Sequence, residues 1–153
     1  WHKVRSVLLD ALCGLEHLHD NLIIHGDVKP ANMLVDDRER GALADFDISI
    51  DTKERTSAKS VKRRLETISM RATALGMTLD FAAPELLSSG EVTTHTDMFA
   101  YGKSIESVGT SCIAPQETTE VDGPTTDLVA ALTSIAPKTR QTAAEAIGMK
   151  FFT

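Results

Sequence analysis

Long apolar runs are missing from this 153-residue sequence. The cleanest stretches are as short as Leu22-Ile23-Ile24, far below the roughly 20 residues of a membrane-spanning helix, so no membrane partner is expected. Cysteine is scarce. Cys13 and Cys112 stand far apart in the chain, which excludes a disulfide scaffold and reads as two buried thiols in a reducing cytoplasm, with one disulfide as the alternative. Metal-ligand patterns are thin as well. His17 and His19 are two positions apart, and such positions on a helix point in different directions, so both read as plain helix residues and zinc is not expected. Basic charge is in the minority: 16 Lys and Arg against 22 Asp and Glu leave a net charge of -6, so nucleic acid is not the expected partner. The opening Trp1-His2-Lys3-Val4-Arg5 forms no signal-peptide pattern and no Met begins the chain. A fragment or processed product is therefore expected, with a cytoplasmic location and a nuclear one as the alternative.

What is present is the composition of one soluble globular domain, 42% hydrophobic and 25% charged. A chain of this length buries roughly 68–70% of its unfolded surface. The charge is unevenly placed. Residues 52–73 carry seven basic side chains (Lys53, Arg55, Lys59, Lys62, Arg63, Arg64 and Arg71) against Glu54 and Glu66, a net +5 that leaves -11 for the remainder. With Thr56, Ser57, Ser60, Thr67 and Ser69 and little apolar periodicity, this stretch reads as a long, mobile, solvated loop. The alternative is a docking surface for an acidic or phosphorylated partner.

The periodicity of Val4, Val7, Leu8, Ala11, Leu12, Leu15 and Leu18 predicts a helix ending near Asp20-Asn21. Leu22-Ile23-Ile24 and Met33-Leu34-Val35 read as short strands, with a turn from Asp36 to Gly41 and Ala42-Leu43-Ala44 pairing back. Pro84 opens a short helix through Leu87. A buried helix is expected over 97–109, a connection over 113–124, and a helix over 127–136 with Leu128, Leu132 and Ile135 on one face. Thr142-Ala143-Ala144-Glu145 fits a capping box that starts a last helix ending near Phe151-Phe152. The expected fold class is mostly α with a few short β-strands, an α+β unit.

The chemistry lies in His25-Gly26-Asp27-Val28-Lys29-Pro30-Ala31-Asn32, a polar loop between two apolar strands. Farther on, Ala44-Asp45-Phe46-Asp47 places another carboxylate after an apolar strand. Asp27 is a candidate base, Lys29 a cation, and Asn32 and Asp45 are hard oxygen donors suited to Mg²⁺. Phosphoryl transfer needs these parts, because its transition state asks for positioning and charge neutralisation far more than covalent help.

These residues resemble the eukaryotic-type protein kinases, whose catalytic loop reads H-R-D-L-x-x-x-N and is followed by D-F-G and A-P-E. His25, Asp27, Lys29, Pro30 and Asn32 match the loop in type and spacing, and Ala83-Pro84-Glu85 supplies the last motif. The resemblance spans essentially the whole chain and matches the C-terminal lobe of the catalytic domain. It places the catalytic loop at 25–32 and the activation segment at 45–85, and implies a serine/threonine kinase that uses ATP and Mg²⁺ on a protein substrate. On this likeness Asp27 accepts the substrate hydroxyl proton and Lys29 steadies the transferring phosphate. Thr78 touches both, and Asn32 and Asp45 hold the magnesium. Asp97 resembles the buried helix carboxylate that holds the loop backbone, and Arg140 the late arginine that pairs with the A-P-E glutamate.

Five departures stand out. Gly26 replaces the loop arginine that binds a phosphorylated activation loop, and Asp47 replaces the D-F-G glycine, putting a Cβ where left-handed backbone is expected. Phe99 stands in place of Trp, with a short stretch from 109 to 125 where many kinases dock substrates. Last, no G-x-G-x-x-G loop and no V-A-I-K lysine precede the catalytic loop. The expectation is a C-terminal lobe without its N-terminal partner, inactive as this piece alone and exposing an apolar patch. A pseudokinase-like binding module is the alternative function. A small-molecule phosphotransferase of the aminoglycoside type fits less well, because of Thr78 and the A-P-E motif.

Overall fold

A computed structural model describes residues 2–53, 79–112 and 123–152. The basic stretch therefore falls almost wholly outside the described residues, as does Thr78.

Helix α1 (His2–Asp20) buries Leu8, Ala11, Leu12 and Leu15, the spacing of one helical face. It stops because Leu22 turns left-handed at φ 63°, while the Asn21 side chain donates to the His17 carbonyl at 2.8 Å. β1 (Ile23–Ile24) pairs antiparallel with β4 (Ile50–Asp51), and β2 (Met33–Val35) with β3 (Gly41–Leu43) in the register Met33–Leu43, Leu34–Ala42, Val35–Gly41. Asp36 ties the β2–β3 turn, its Oδ1 accepting the Arg38 and Arg40 amides at 2.9 Å each. The hairpin lies directly on α1. Gly41 N donates to Asp10 Oδ2 at 2.8 Å, and a Cβ at Gly41 would stand 2.4 Å from the Val7 carbonyl oxygen. Glycine is required there by close approach.

After the 3₁₀ turn Leu79–Phe81 comes α2 (Pro84–Ser89), stopped by Gly90 at φ 70° whose amide donates to Leu86 O. Next come α3 (Thr94–Cys112), α4 (Gly123–Leu132) and α5 (Ala143–Ile147). The core joins Leu8, Leu12 and Leu15 of α1 to Met98, Tyr101 and Ile105 of α3, Leu128 and Leu132 of α4, and Phe151. Tyr101 spans it, its hydroxyl donating to Leu8 O at 2.7 Å, and burial holds its pKa well above the ordinary value. The fold is mostly helical with short strands, as the periodicity implies.

Several boundaries differ from expectation. α4 takes in Pro124 and ends at Leu132, so Ile135 lies outside the helix and is 82% exposed. The cause is Arg140, which draws the Ser134 carbonyl onto its Nε at 2.7 Å, while Pro137 disfavours helix at Ala136. The capping box at Thr142 and Glu145 forms in both directions, but α5 ends at Ile147, before Gly148. Cys13 is exposed rather than buried. Partial burial of the sulfur, with the charges of Glu16 and Asp10, raises its thiol pKa.

Candidate active site

The loop after β1 is held from below by Asp97, in the first turn of α3 and 1% exposed. Its Oδ1 accepts the Gly26 amide and its Oδ2 the His25 amide, both at 2.8 Å. His19 Nε2 stands 3.0 Å from Oδ2. A buried carboxylate without such donors is costly, and three donors meet that requirement. Two successive amides converge on one carboxylate because Gly26 is left-handed, at φ 83°. A Cβ there would meet Ile48 O at 3.3 Å, so glycine in the arginine position of the family's loop relieves strain.

His25 links this loop to the segment after β3. Its buried ring accepts the Asp27 amide at Nδ1, 3.3 Å away, which leaves Nε2–H to donate to Ala44 O at 3.1 Å. Ala44 N in turn donates to Asn32 O at 2.9 Å. Both backbone groups of Ala44 are thus bonded to the loop, and Asp45 follows immediately. Phe46 lies against the His25 ring, centroids 5.0 Å apart.

The residue forced into left-handed backbone in this segment is Asp45 itself, at φ 66°. Asp47 has no positive φ, so the conformational penalty expected for replacing the D-F-G glycine does not arise. A non-glycine residue in this region is uncommon and persists only where its surroundings fix it, which the two Ala44 bonds do.

Asp27, Lys29 and Asn32 meet in one cluster. Lys29 Nζ donates to Asp27 Oδ2 at 2.7 Å. Asn32 Nδ2 donates to the Asp27 carbonyl at 2.8 Å and to Oδ2 at 3.1 Å. The Asn32 amide is thereby oriented, with its nitrogen committed to Asp27 and Oδ1 turned elsewhere. Asp27 Oδ1, Asn32 Oδ1 and the exposed Asp45 carboxylate take no partner among the described residues. Of these, Asn32 Oδ1 and the Asp45 carboxylate are hard oxygens that could hold Mg²⁺, which takes one or two protein oxygens and leaves the remaining positions to phosphate and water.

Arg140 forks onto Glu85. Nη1 donates to Oε1 at 2.6 Å and Nη2 to Oε2 at 2.9 Å, and the guanidinium stacks on Phe99, 4.8 Å from its centroid. Burial pushes the Glu85 carboxyl up, but the hydrogen bonds and charge of Arg140 outweigh it and the net pKa is lowered. The sequence reading missed His19, since its partner lies 78 residues away and no local pattern marks it.

With this geometry in view, comparison with known proteins is specific. Residues 2–117 match the model of the protein kinase domain, and the chain belongs to that family. It is 34% identical over 113 residues to the L-type lectin-domain containing receptor kinase VIII.2 of Arabidopsis thaliana, covering 72% of this chain and 14% of that protein. It is 34% identical over 105 residues to the proline-rich receptor-like protein kinase PERK15 of the same plant, 67% of this chain and 18% of that one. Against the receptor protein kinase WSS1 of Oryza sativa subsp. japonica the figures are 32% over 105 residues, 67% and 10%. The chain thus spans between 10% and 18% of the length of these relatives.

Proposed function

We propose that this chain is the C-terminal lobe of a serine/threonine protein kinase, the half of the catalytic domain that holds the protein substrate and the metal of Mg²⁺-ATP. The observation that carries the reading is the cluster of Asp27, Lys29 and Asn32, tied through Ala44 to Asp45. Asp27 acts as the base. Its Oδ2 is taken up by Lys29 and Asn32, so Oδ1 is the oxygen that accepts the proton of the substrate hydroxyl. Lys29, held by Asp27, offers its remaining N–H groups to the transferring phosphate. Asn32 Oδ1 and the Asp45 carboxylate are the oxygens that would hold Mg²⁺, which when bound would supply neutralisation of the phosphate charge. Thr78 is assigned to contact Asp27 and Lys29 by its place before the A-P-E motif. Action in the cytoplasm or nucleus follows from the use of ATP, and the +5 charge of residues 52–73 supports an acidic docking partner.

Catalysis relies on orientation and on exclusion of water, so this piece by itself is expected to be inactive. Leu34 is 55% exposed and Val35 56%, an apolar surface on the β2–β3 hairpin. The second reading, a binding module without phosphotransfer, is favoured by Gly26 and Asp47 in place of the family residues. Titration calorimetry of the full-length protein with ATP separates the two. Mg²⁺-dependent binding that Asp45→Asn weakens by about tenfold or more supports the kinase, whereas binding indifferent to Mg²⁺ and to Asp45→Asn supports the module.

A further inference from the structure

Helix α1 carries a second pair of chemically capable side chains, outside the Asp27 cluster. Cys13 and His17 lie four positions apart, which on an α-helix makes them neighbours on one face, with Cβ atoms roughly 5–6 Å apart. Both are exposed, and neither side chain takes a hydrogen-bond partner among the described residues. Free cysteine is among the most buried residue types, so a thiol held at the surface beside an imidazole has a reason other than packing. His17 and His19 point apart, as their spacing implies, but the helix gives His17 a different neighbour.

The electrostatics of this face favour a cation. At about 100° of rotation per residue, Asp10, Glu16 and Asp20 fall with the pair on about a third of the helix circumference, and residues 6–20 contain no Lys or Arg. His17 stands in the last turn of α1, where a helix carries its negative end. Arg40 lines the same groove as Cys13, but its charge is paired with Asp36 at 2.7 Å. Partial burial and the charges of Glu16 and Asp10 raise the Cys13 thiol pKa, which makes the free thiol a weak nucleophile. The same two carboxylates attract a cation able to displace its proton.

We propose that Cys13 and His17 form a two-ligand site for a soft divalent cation of the Zn²⁺ type. The Cys13 Sγ and one imidazole nitrogen of His17 bind the ion. Water fills its remaining positions, since no group of three His, Cys, Asp or Glu among the described residues could hold a metal. Binding forms the sulfur–metal bond, breaks the Cys13 S–H bond and releases that proton to solvent. Sulfur and imidazole nitrogen suit Zn²⁺, whereas Mg²⁺ takes oxygen, so this ion does not compete for Asn32 and Asp45. The inference goes beyond the phosphotransfer reading and does not depend on it.

The test titrates the full chain, metal-free and kept reduced with a phosphine, with Co²⁺ and then with Zn²⁺. Co²⁺ bound to a thiolate absorbs in the near ultraviolet by charge transfer, and Zn²⁺ is expected to displace it and bleach the band. Cys13→Ser is expected to remove the band. His17→Ala is expected to weaken binding of both ions by about 100-fold, the upper end of what losing a group that only orients a metal ligand costs. His2→Ala, on the same helix, leaves both unchanged. No band in the unsubstituted chain, a band that survives Cys13→Ser, or an affinity indifferent to His17→Ala would overturn the proposal. Should either variant fail to fold, Cys13→Ala and His17→Gln serve the same comparison. Phosphate transfer plays no part in this readout, so the kinase reading can fail while the site stands, and the reverse.

Discussion

Arg140→Met removes a guanidinium that is wholly buried, beside a Glu85 side chain only 10% exposed. Arg140 satisfies both Glu85 oxygens, the Ser134 carbonyl at 2.7 Å and the His95 carbonyl at 2.9 Å. Methionine fills part of the volume and supplies none of these donors. Breaking a buried pair by deleting one partner costs about 3–5 kcal/mol, because the remaining charge is left uncompensated. For a domain of this size each kcal/mol moves the unfolding midpoint by about 2–4 °C, so a fall of about 6–20 °C is expected.

The pH dependence gives a sharper test. In the native protein the Glu85 carboxyl is raised by burial and lowered further by Arg140, for a net folded pKa below its unfolded value. Its stabilisation is therefore present above the unfolded carboxyl pKa and lost as pH falls through the lower folded one. In Arg140→Met the Arg140 contributions go, while burial still raises the Glu85 pKa and the Glu85 backbone amide and His95 still lower it, so the folded pKa moves up from its position in the parent. The loss of stability relative to the parent is therefore largest near neutrality and shrinks as pH falls towards about 4.5 and the carboxylate left without Arg140 is protonated. Urea unfolding of both proteins at the two pH values, closed into a double-mutant cycle with Glu85→Gln, measures this directly. A loss under about 1 kcal/mol at neutral pH, or one independent of pH, would refute the argument.

Two further substitutions follow from the glycines. Gly41→Ala puts a Cβ 2.4 Å from the Val7 carbonyl oxygen, so the β2–β3 hairpin must lift from α1 at a cost of about 1–3 kcal/mol, read as a lower urea midpoint. Gly26→Ala forces a Cβ into left-handed backbone at φ 83°, a cost of about 1–2 kcal/mol placed on the catalytic loop. It is expected to lower kcat in the full-length protein, with a smaller effect on KM for ATP.

The helices were legible wherever their signals were local. The stripe from Val4 to Leu18 and the capping box at Thr142 and Glu145 formed as expected, because each depends on residues three or four apart. What depended on distant partners was not legible. β4 exists because Ile50 and Asp51 pair with Ile24 and Ile23, and nothing in a two-residue strand announces that. Ile135 continues an apolar period into a segment whose carbonyls are claimed by Arg140. In the site, the meeting of Asp27, Lys29 and Asn32 was legible because they share one short loop, Asn32 lying five positions after Asp27, whereas their roles came from the kinase resemblance. The left-handed backbone at Asp45 rather than at Asp47 was not, since it is imposed by the anchoring of Ala44 on both sides. His19 lacked any sequence signal for the same reason.

The measurement that bears most directly on the whole account is transfer of the ATP γ-phosphate to serine- and threonine-containing peptides by the full-length protein, with Asp27→Asn alongside. Asparagine keeps the shape of the side chain and most of its contacts but cannot serve as base at Oδ1. A positioned base contributes about 10²–10⁴ to a rate, so transfer should be present with Mg²⁺, absent after chelation, and lower by about that factor in Asp27→Asn at nearly unchanged ATP affinity. Transfer that survives Asp27→Asn at full rate, or a full-length protein that binds Mg²⁺-ATP and transfers nothing, would contradict the account.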